Sequence, residues 1–309
     1  MRTIKRRMIR IAAVIGLATF LSTSLAACGA SSPGTGGGTI RVVAGQNFWG
    51  SLATQLGGSH VSVLSIVTNP NADPHDYESS PKDARAMAMA DYVILNGAGY
   101  DDWGSKLLSG NPNQNRKVFT VADLLHKKAG DNPHFWYNPD WVEQVADHIT
   151  ADYKAIDSGD AGYFDQQRAN LRTAMKPYHQ RIASIRSAFS GVPVGATETI
   201  FVYLAQALGL NLISPAEFMK AVAEGNDPPA DTVAEFHDLV AGKKIKVLVY
   251  NVQTSTSITE DLKRLAGDQA IPVVGVSETL QPVDATFQEW QGAQLLTLQN
   301  ALNAEALTH

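Results

Sequence analysis

Along residues 40–121, short apolar runs rich in β-branched side chains alternate with stretches whose apolar residues recur at helical spacing. Residues 40–44, 61–67, 92–95 and 118–121 have the length and composition of buried strands, and residues 48–56, 81–89 and 101–108 fit the helices between them. Pro81 stands where a first helical turn accepts proline. Such alternation predicts right-handed crossovers and a parallel sheet covered on both faces. From about residue 140 to 190 the pattern is helical without a strand, and residues 165–189 read as a connecting helix that Pro177 should kink or break. Alternation then resumes, with strands near residues 193–196, 246–250 and 271–276 and helices near 199–208, 230–241, 257–266 and 284–302. The expected fold class is α/β, with an N-terminal lobe over residues 39–162, a connecting helix over 163–190 and a C-terminal lobe over 191–309. One large α/β domain with a helical insertion is the alternative reading of the same pattern.

The N-terminus stands outside this pattern. Arg2, Lys5, Arg6, Arg7 and Arg10 give a basic start, and an uncharged stretch over residues 11–27 follows with small residues at its end, so residues 1–27 read as a signal peptide. The stretch ends Leu25-Ala26-Ala27-Cys28-Gly29, which resembles the bacterial lipobox, whose cysteine is acylated and becomes the first mature residue. Cys28 is therefore the expected lipidation site; several acyl chains on one residue hold a protein at a membrane where a single chain does so only marginally. An ordinary cleavage site beside a chance cysteine is the alternative. Because Cys28 is the only cysteine, an internal disulfide and a pair of thiolate metal ligands are both excluded. Residues 28–38 then form the lipidated cysteine and a tether, GASSPGTGGG, of flexible composition. The formal net charge of −5 includes the five basic residues of the leader, so the mature chain carries −10. That balance argues against nucleic acid as a partner and mildly favours cations, although a solvated acidic surface accounts for most of it.

Of the histidines, His60, His126, His148, His179, His237 and His309 fall on helices, loop edges or the terminus, while His75 and His134 each follow a proline in a loop. Proline fixes the backbone just before the imidazole and so limits its orientations; a plain turn is the bland reading. Glu198 and Glu278 each lie two residues beyond a predicted strand, at the edge where open α/β sheets bind ligands. Singly, each fits a helix N-cap region equally well. Together two imidazoles and two carboxylates suit four-coordinate Zn²⁺, or Mn²⁺ if a carboxylate binds through both oxygens. Asn251 could offer an alternative oxygen near Glu278.

The run over residues 42–103, which includes NADPHDYESSPKDARAMAMADYVILNGAGYDDW, resembles the metal-binding lipoproteins of ABC importers, the zinc- and manganese-uptake cluster of solute-binding proteins. Their signature is an Asp-Pro-His-x-Tyr/Phe-Glu loop, a short helix and Ala-Asp-x-Val-Ile-x-Asn-Gly, and the likeness continues through NPHFWYNPDWV to the C-terminal helix. The resemblance implies two α/β lobes of four short parallel strands each, one long joining helix and a metal ion in the cleft. It matches His75 to the family's first ligand, His134 to its second, Glu198 to a position held by His or Glu, and Glu278 to one that is commonly Asp. Asn132 replaces a frequent Asp, which removes a charge beside His134. The His- and acid-rich insert of many zinc-specific members is missing, since residues 104–133 contain only His126, and this leans toward the manganese branch.

The implied function is that of an extracytoplasmic, membrane-anchored and monomeric lipoprotein that captures Zn²⁺ or Mn²⁺ and delivers it to an ABC transporter permease, without catalysis. A metal-dependent adhesin or a metal chaperone on the same fold is the alternative. An exported metallohydrolase would need an open coordination position and a general base, and no motif near the histidines supplies one. Affinity is expected to weaken as pH falls through about 6.5, where imidazoles take up protons. Release is expected to rest on movement of the loop that carries Glu278.

Overall fold

The computed structural model describes residues 38–306; the signal peptide, Cys28 and the tether up to residue 37 lie outside the described residues. In chain order β1 (Ile40–Gln46) runs straight into α1 (Asn47–Gly57), followed by β2 (Val61–Val67), α2 (Pro81–Met89), β3 (Tyr92–Leu95), α3 (Asp102–Gly110), β4 (Lys117–Thr120) and the single turn α4 (Val121–Leu124). These strands form one all-parallel sheet in the order β2-β1-β3-β4, in which Val42 pairs with both Val63 and Tyr92, and Val93 pairs with Val118. The central strand β3 is buried along its whole length, which explains its unbroken apolar sequence, whereas the edge strand β2 alternates. Helix α2 starts where Ser80 and Asp83 exchange hydrogen bonds as a capping box, with Pro81 just inside.

Three helices follow without a strand: α5 (Pro139–Ile156), α6 (Ala161–Ala174) and α7 (Lys176–Phe189). The last two form one long helix bent at Met175. Pro177 causes the bend, because its ring nitrogen cannot donate to the carbonyl four residues back; the ladder resumes when the His179 amide donates to the Met175 carbonyl at 3.1 Å.

The second half contains β5 (Pro193–Ala196), α8 (Val202–Leu208), β6 (Asn211–Leu212), α9 (Ala216–Ala223), α10 (Ala230–Ala241), β7 (Leu248–Asn251), α11 (Ser257–Asp268), β8 (Val273–Val276) and α12 (Phe287–Ala306). Its sheet is again all parallel, ordered β6-β5-β7-β8. The fold class is thus the expected one, and the fourth strand that the resemblance implied is β6. Hydrophobic periodicity does not reveal β6, since two residues are too few for an alternation. Helix α9 also goes beyond the pattern, although it buries Phe218, Met219 and Val222 at helical spacing. Strand β7 begins later than the apolar run suggests: Ile245 and Val247 enter the core before regular pairing starts at Leu248. Helix α12 begins at Phe287 rather than at residue 284, behind Thr286, whose amide and hydroxyl both donate to Glu289 Oε2.

One continuous apolar cluster lies between the two sheets. It runs from Val42 and Phe48 through Trp136, Tyr153 and Tyr178 to Val249, Val276 and Trp290. Smaller clusters cover the outer faces, around Met87 and Val93 on the first sheet and around Phe218 and Phe236 on the second. Among the described residues, no helix is long and apolar enough to cross a membrane.

Candidate metal centre

His75, Glu198 and Glu278 stand on loops that leave the C-terminal ends of parallel strands, His134 stands on the loop after α4, and the fold brings their side chains together. His75 lies in the loop after β2, in a 3-10 turn over Pro74–Asp76. Asp73 starts that turn by accepting the His75 amide at 2.8 Å. His134 precedes a second 3-10 turn, Phe135–Tyr137, whose three aromatic side chains are fully buried. Trp136 stacks on Phe48 with ring centroids 4.0 Å apart, so the segment behind His134 is anchored in the core. Glu198 follows β5 and Glu278 follows β8, the two strands that flank β7.

The distances are those of a shared site. His75 Nε2 lies 3.3 Å from Glu278 Oε2, and His134 Nε2 lies 3.3 Å from Glu198 Oε1 and 3.9 Å from Glu278 Oε2. His75, His134 and Glu198 each offer an atom within 4.8 Å of the others, as do Asp73, His75 and Glu278. His134, Glu198 and Glu278 are completely buried, and His75 alone of the four keeps 23% of its side chain exposed. His75 therefore marks the side of the cluster that opens to solvent. There a cleft of about 550 Å³ opens between Asp73, Tyr100, Asn132 and Glu224.

The imidazole tautomer at His134 follows from its neighbours. Asn132 Oδ1 accepts the His134 amide at 3.1 Å and lies 2.6 Å from Nδ1, while Asn132 Nδ2 donates to the Thr199 carbonyl at 2.8 Å. With an oxygen facing it, Nδ1 carries the proton, and Nε2 turns a lone pair toward the carboxylates. Neither His75 Nε2 nor His134 Nε2 has a hydrogen-bond partner among the described residues, although both are buried. A buried lone pair 3.3 Å from a carboxylate oxygen is repulsive unless a proton or a cation lies between them.

The electrostatics agree. Burial, then repulsion from His75, pushes the His134 imidazole well below its usual range. Burial and the neighbouring Glu278 hold the Glu198 carboxyl well above the carboxylate range. Tyr100 stays a neutral donor, since burial and then Glu278 raise its phenol far above normal, and its hydroxyl donates to Glu278 Oε2 at 2.6 Å. Asp73, at the rim, is pushed up to about 6 by burial and by Glu278. A divalent cation would neutralise the two buried carboxylates and use both free lone pairs. For bonds of about 2.0–2.1 Å the edge of a coordination tetrahedron is about 3.3–3.4 Å, and the imidazole to carboxylate separations of 3.3 Å agree with it.

Sequence reasoning missed several supporting residues. Tyr100 gave no sign beyond standing shortly after β3, the same strand-end rule that singled out Glu198 and Glu278. Gln253 fastens two ligand loops: its Oε1 accepts the amides of Glu278 at 2.7 Å and Thr279 at 3.1 Å, and its Nε2 donates to the Ala72 carbonyl at 2.7 Å. Asn251, considered as an oxygen ligand, presents its nitrogen to the carboxylates instead. Three other histidines have ordinary partners. His60 stacks on Tyr163 and pairs with Asp160, His148 stacks on Phe119, and His179 meets Glu143 at 2.8 Å.

Two all-parallel sheets that aim strand-end loops at one buried imidazole and carboxylate cluster define a class of α/β binding proteins. The family model described as zinc-uptake complex component A, periplasmic, matches residues 42–301, and the chain belongs to that family. Among its relatives are the metal ABC transporter substrate-binding lipoprotein FimA of Streptococcus parasanguinis, 25% identical over 86% of this chain and 88% of FimA, and the manganese ABC transporter substrate-binding lipoprotein PsaA of Streptococcus pneumoniae, 24% identical over 86% and 88%. The fold is that of the periplasmic zinc-binding protein TroA from Treponema pallidum, with a TM-score of 0.73, 14% identity and coverage of 86% of this chain and 99% of TroA.

Proposed function

We propose that this protein is the substrate-binding lipoprotein of a metal ABC importer, which captures one divalent transition metal ion, zinc or manganese, outside the cytoplasm and hands it to the permease. The family is one of substrate-binding proteins rather than enzymes. The observation that carries the reading is the pair of buried, unpartnered imidazole nitrogens beside two buried carboxylates. The four ligands are His75 Nε2, His134 Nε2, Glu198 Oε1 and Glu278 Oε2. They leave no open position for a reacting water, which separates a cargo site from a hydrolytic one. Capture strips water from the ion, and His75 at the cleft closes the coordination. Unloading reverses this through the Glu278 loop, which Gln253 ties to the His75 loop and which Gln281 also holds through the Pro70 carbonyl.

Calorimetric titration of purified protein with zinc and with manganese tests the proposal. The expected result is one ion per chain, with binding abolished in His134→Ala and weakened in Glu278→Ala. Unchanged stoichiometry and affinity in His134→Ala would sink the assignment.

A further inference from the structure

Strand β7 lies between β5 and β8, and its last residue, Asn251, therefore sits between the two strands that carry the carboxylates. Its side chain is buried, and the amide Nδ2 donates both hydrogens into the site, one to Glu198 Oε2 at 2.7 Å and one to Glu278 Oε1 at 2.7 Å. The opposite end of the amide is fixed too, since Oδ1 accepts the Gln253 backbone N–H at 3.0 Å. A flipped amide would set an oxygen against two carboxylates and an N–H₂ against an N–H, so the chemistry allows one orientation only. The oxygens held by Asn251 are the inner ones; Glu198 Oε1 and Glu278 Oε2 are those that face the imidazoles. Asn251 thus fixes the orientation of both carboxylates, with one oxygen of each turned toward the imidazoles and the other turned away.

We propose that Asn251 is a specificity-determining positioning residue: by holding the inner oxygen of both Glu198 and Glu278 it keeps each carboxylate to a single metal bond, so the site is four-coordinate and selects zinc-type ions over manganese. The inference rests on the metal-capture reading above. Four mixed N and O ligands suit Zn²⁺, which has no demand for more, whereas Mn²⁺ favours higher coordination, which this site could reach only by letting a carboxylate bind through both oxygens. The amide hydrogen bonds oppose that by holding the inner oxygens turned away from the imidazoles. Removing them would let each carboxylate rotate and offer its second oxygen, which raises the coordination number and narrows the preference for zinc. Loss of packing alone would weaken all ions together and leave their ratio unchanged.

The test compares wild type, Asn251→Ala and Asn251→Ser as full mature chains. Serine has one hydroxyl hydrogen and so releases one carboxylate while keeping a partner for the other. Cobalt(II) reports geometry, because four-coordinate cobalt absorbs visible light strongly and five- or six-coordinate cobalt weakly. Competition titrations give the zinc to manganese affinity ratio. The expected result is a four-coordinate cobalt spectrum in wild type, a weakened spectrum in Asn251→Ala, and a zinc to manganese ratio that falls by about tenfold or more, the scale on which partners of metal ligands act, with Asn251→Ser between. A wild-type site of five or six ligands overturns the inference, as does an unchanged spectrum and ratio in both variants. A wild type that binds none of the three ions defeats the capture reading itself, and a wild type that binds one equivalent with unaltered variants defeats only the role of Asn251.

Discussion

Asn132 offers a sharp test of how the site is built, because its amide acts on His134 and on the second half of the chain at once. Asn132→Ala removes three interactions: the acceptor for His134 Nδ1 at 2.6 Å, the acceptor for the His134 amide at 3.1 Å and the donor to the Thr199 carbonyl at 2.8 Å. At about 0.5–1.5 kcal/mol per bond, apo stability should fall by roughly 1.5–4.5 kcal/mol. Loss of the Nδ1 acceptor also frees the ring to change tautomer, and metal affinity should drop by about 10–100-fold. Asn132→Asp behaves differently. It keeps both acceptor contacts to His134 and adds a charge that makes the ring a better ligand, but it turns an anionic oxygen toward the Thr199 carbonyl. Stability should again fall, by about 1–3 kcal/mol for the orphaned carbonyl, while metal affinity is kept or increased. Urea titrations of metal-free protein measure the first quantity, and competition against a chromophoric chelator measures the second. If Asn132→Asp loses as much affinity as Asn132→Ala, the tautomer argument is wrong.

Other outcomes follow from the same contacts. Free zinc at a thousand times its dissociation constant should stabilise the fold by about 4 kcal/mol by linkage, so the calorimetric Tm rises with metal in wild type and stays flat in His134→Ala. Glu143 is held down to about 2 by its hydrogen bond with His179 and then by Arg168. A depressed carboxyl contributes stability that is complete above its ordinary value near 4.3 and is lost as pH falls toward 2. Urea midpoints measured between about pH 5 and 2 should therefore fall less steeply in Glu143→Gln than in wild type. Gln253→Ala removes one tie between the loops of Glu278 and His75 and leaves that of Gln281 to the Pro70 carbonyl; stopped-flow chelator exchange should show faster metal release with little change in capture rate, and equal slowing of both steps would contradict the role of Gln253.

The candidate ligands were legible because each depends on a local rule: a proline before His75 and His134, a strand end before Glu198 and Glu278. Their supports were less so. Asn251 reads as a spare oxygen until β7 is known to lie between β5 and β8, since strand order determines which way its amide must point. Gln253 and Tyr100 act across more than a hundred residues of chain on partners that no spacing rule connects. Pro177 marked the bend in the long helix in advance, because the missing N–H is a property of the residue itself. The two-residue strand β6 had no such signal, and only the family's pattern called for it.

The apolar cluster shared by both sheets has a mechanical consequence. Many binding proteins close on their cargo like a hinge, but here the gap between the halves is filled by Phe48, Trp136, Tyr178 and Trp290. Re-exposing even a few such side chains costs about 1.5–3 kcal/mol each, which together rivals the whole stability of an ordinary domain. A body filled in this way resists opening about a hinge, so it is built as a socket rather than a clamshell, and the parts left free to differ between an empty and a loaded form are the loops at the rim.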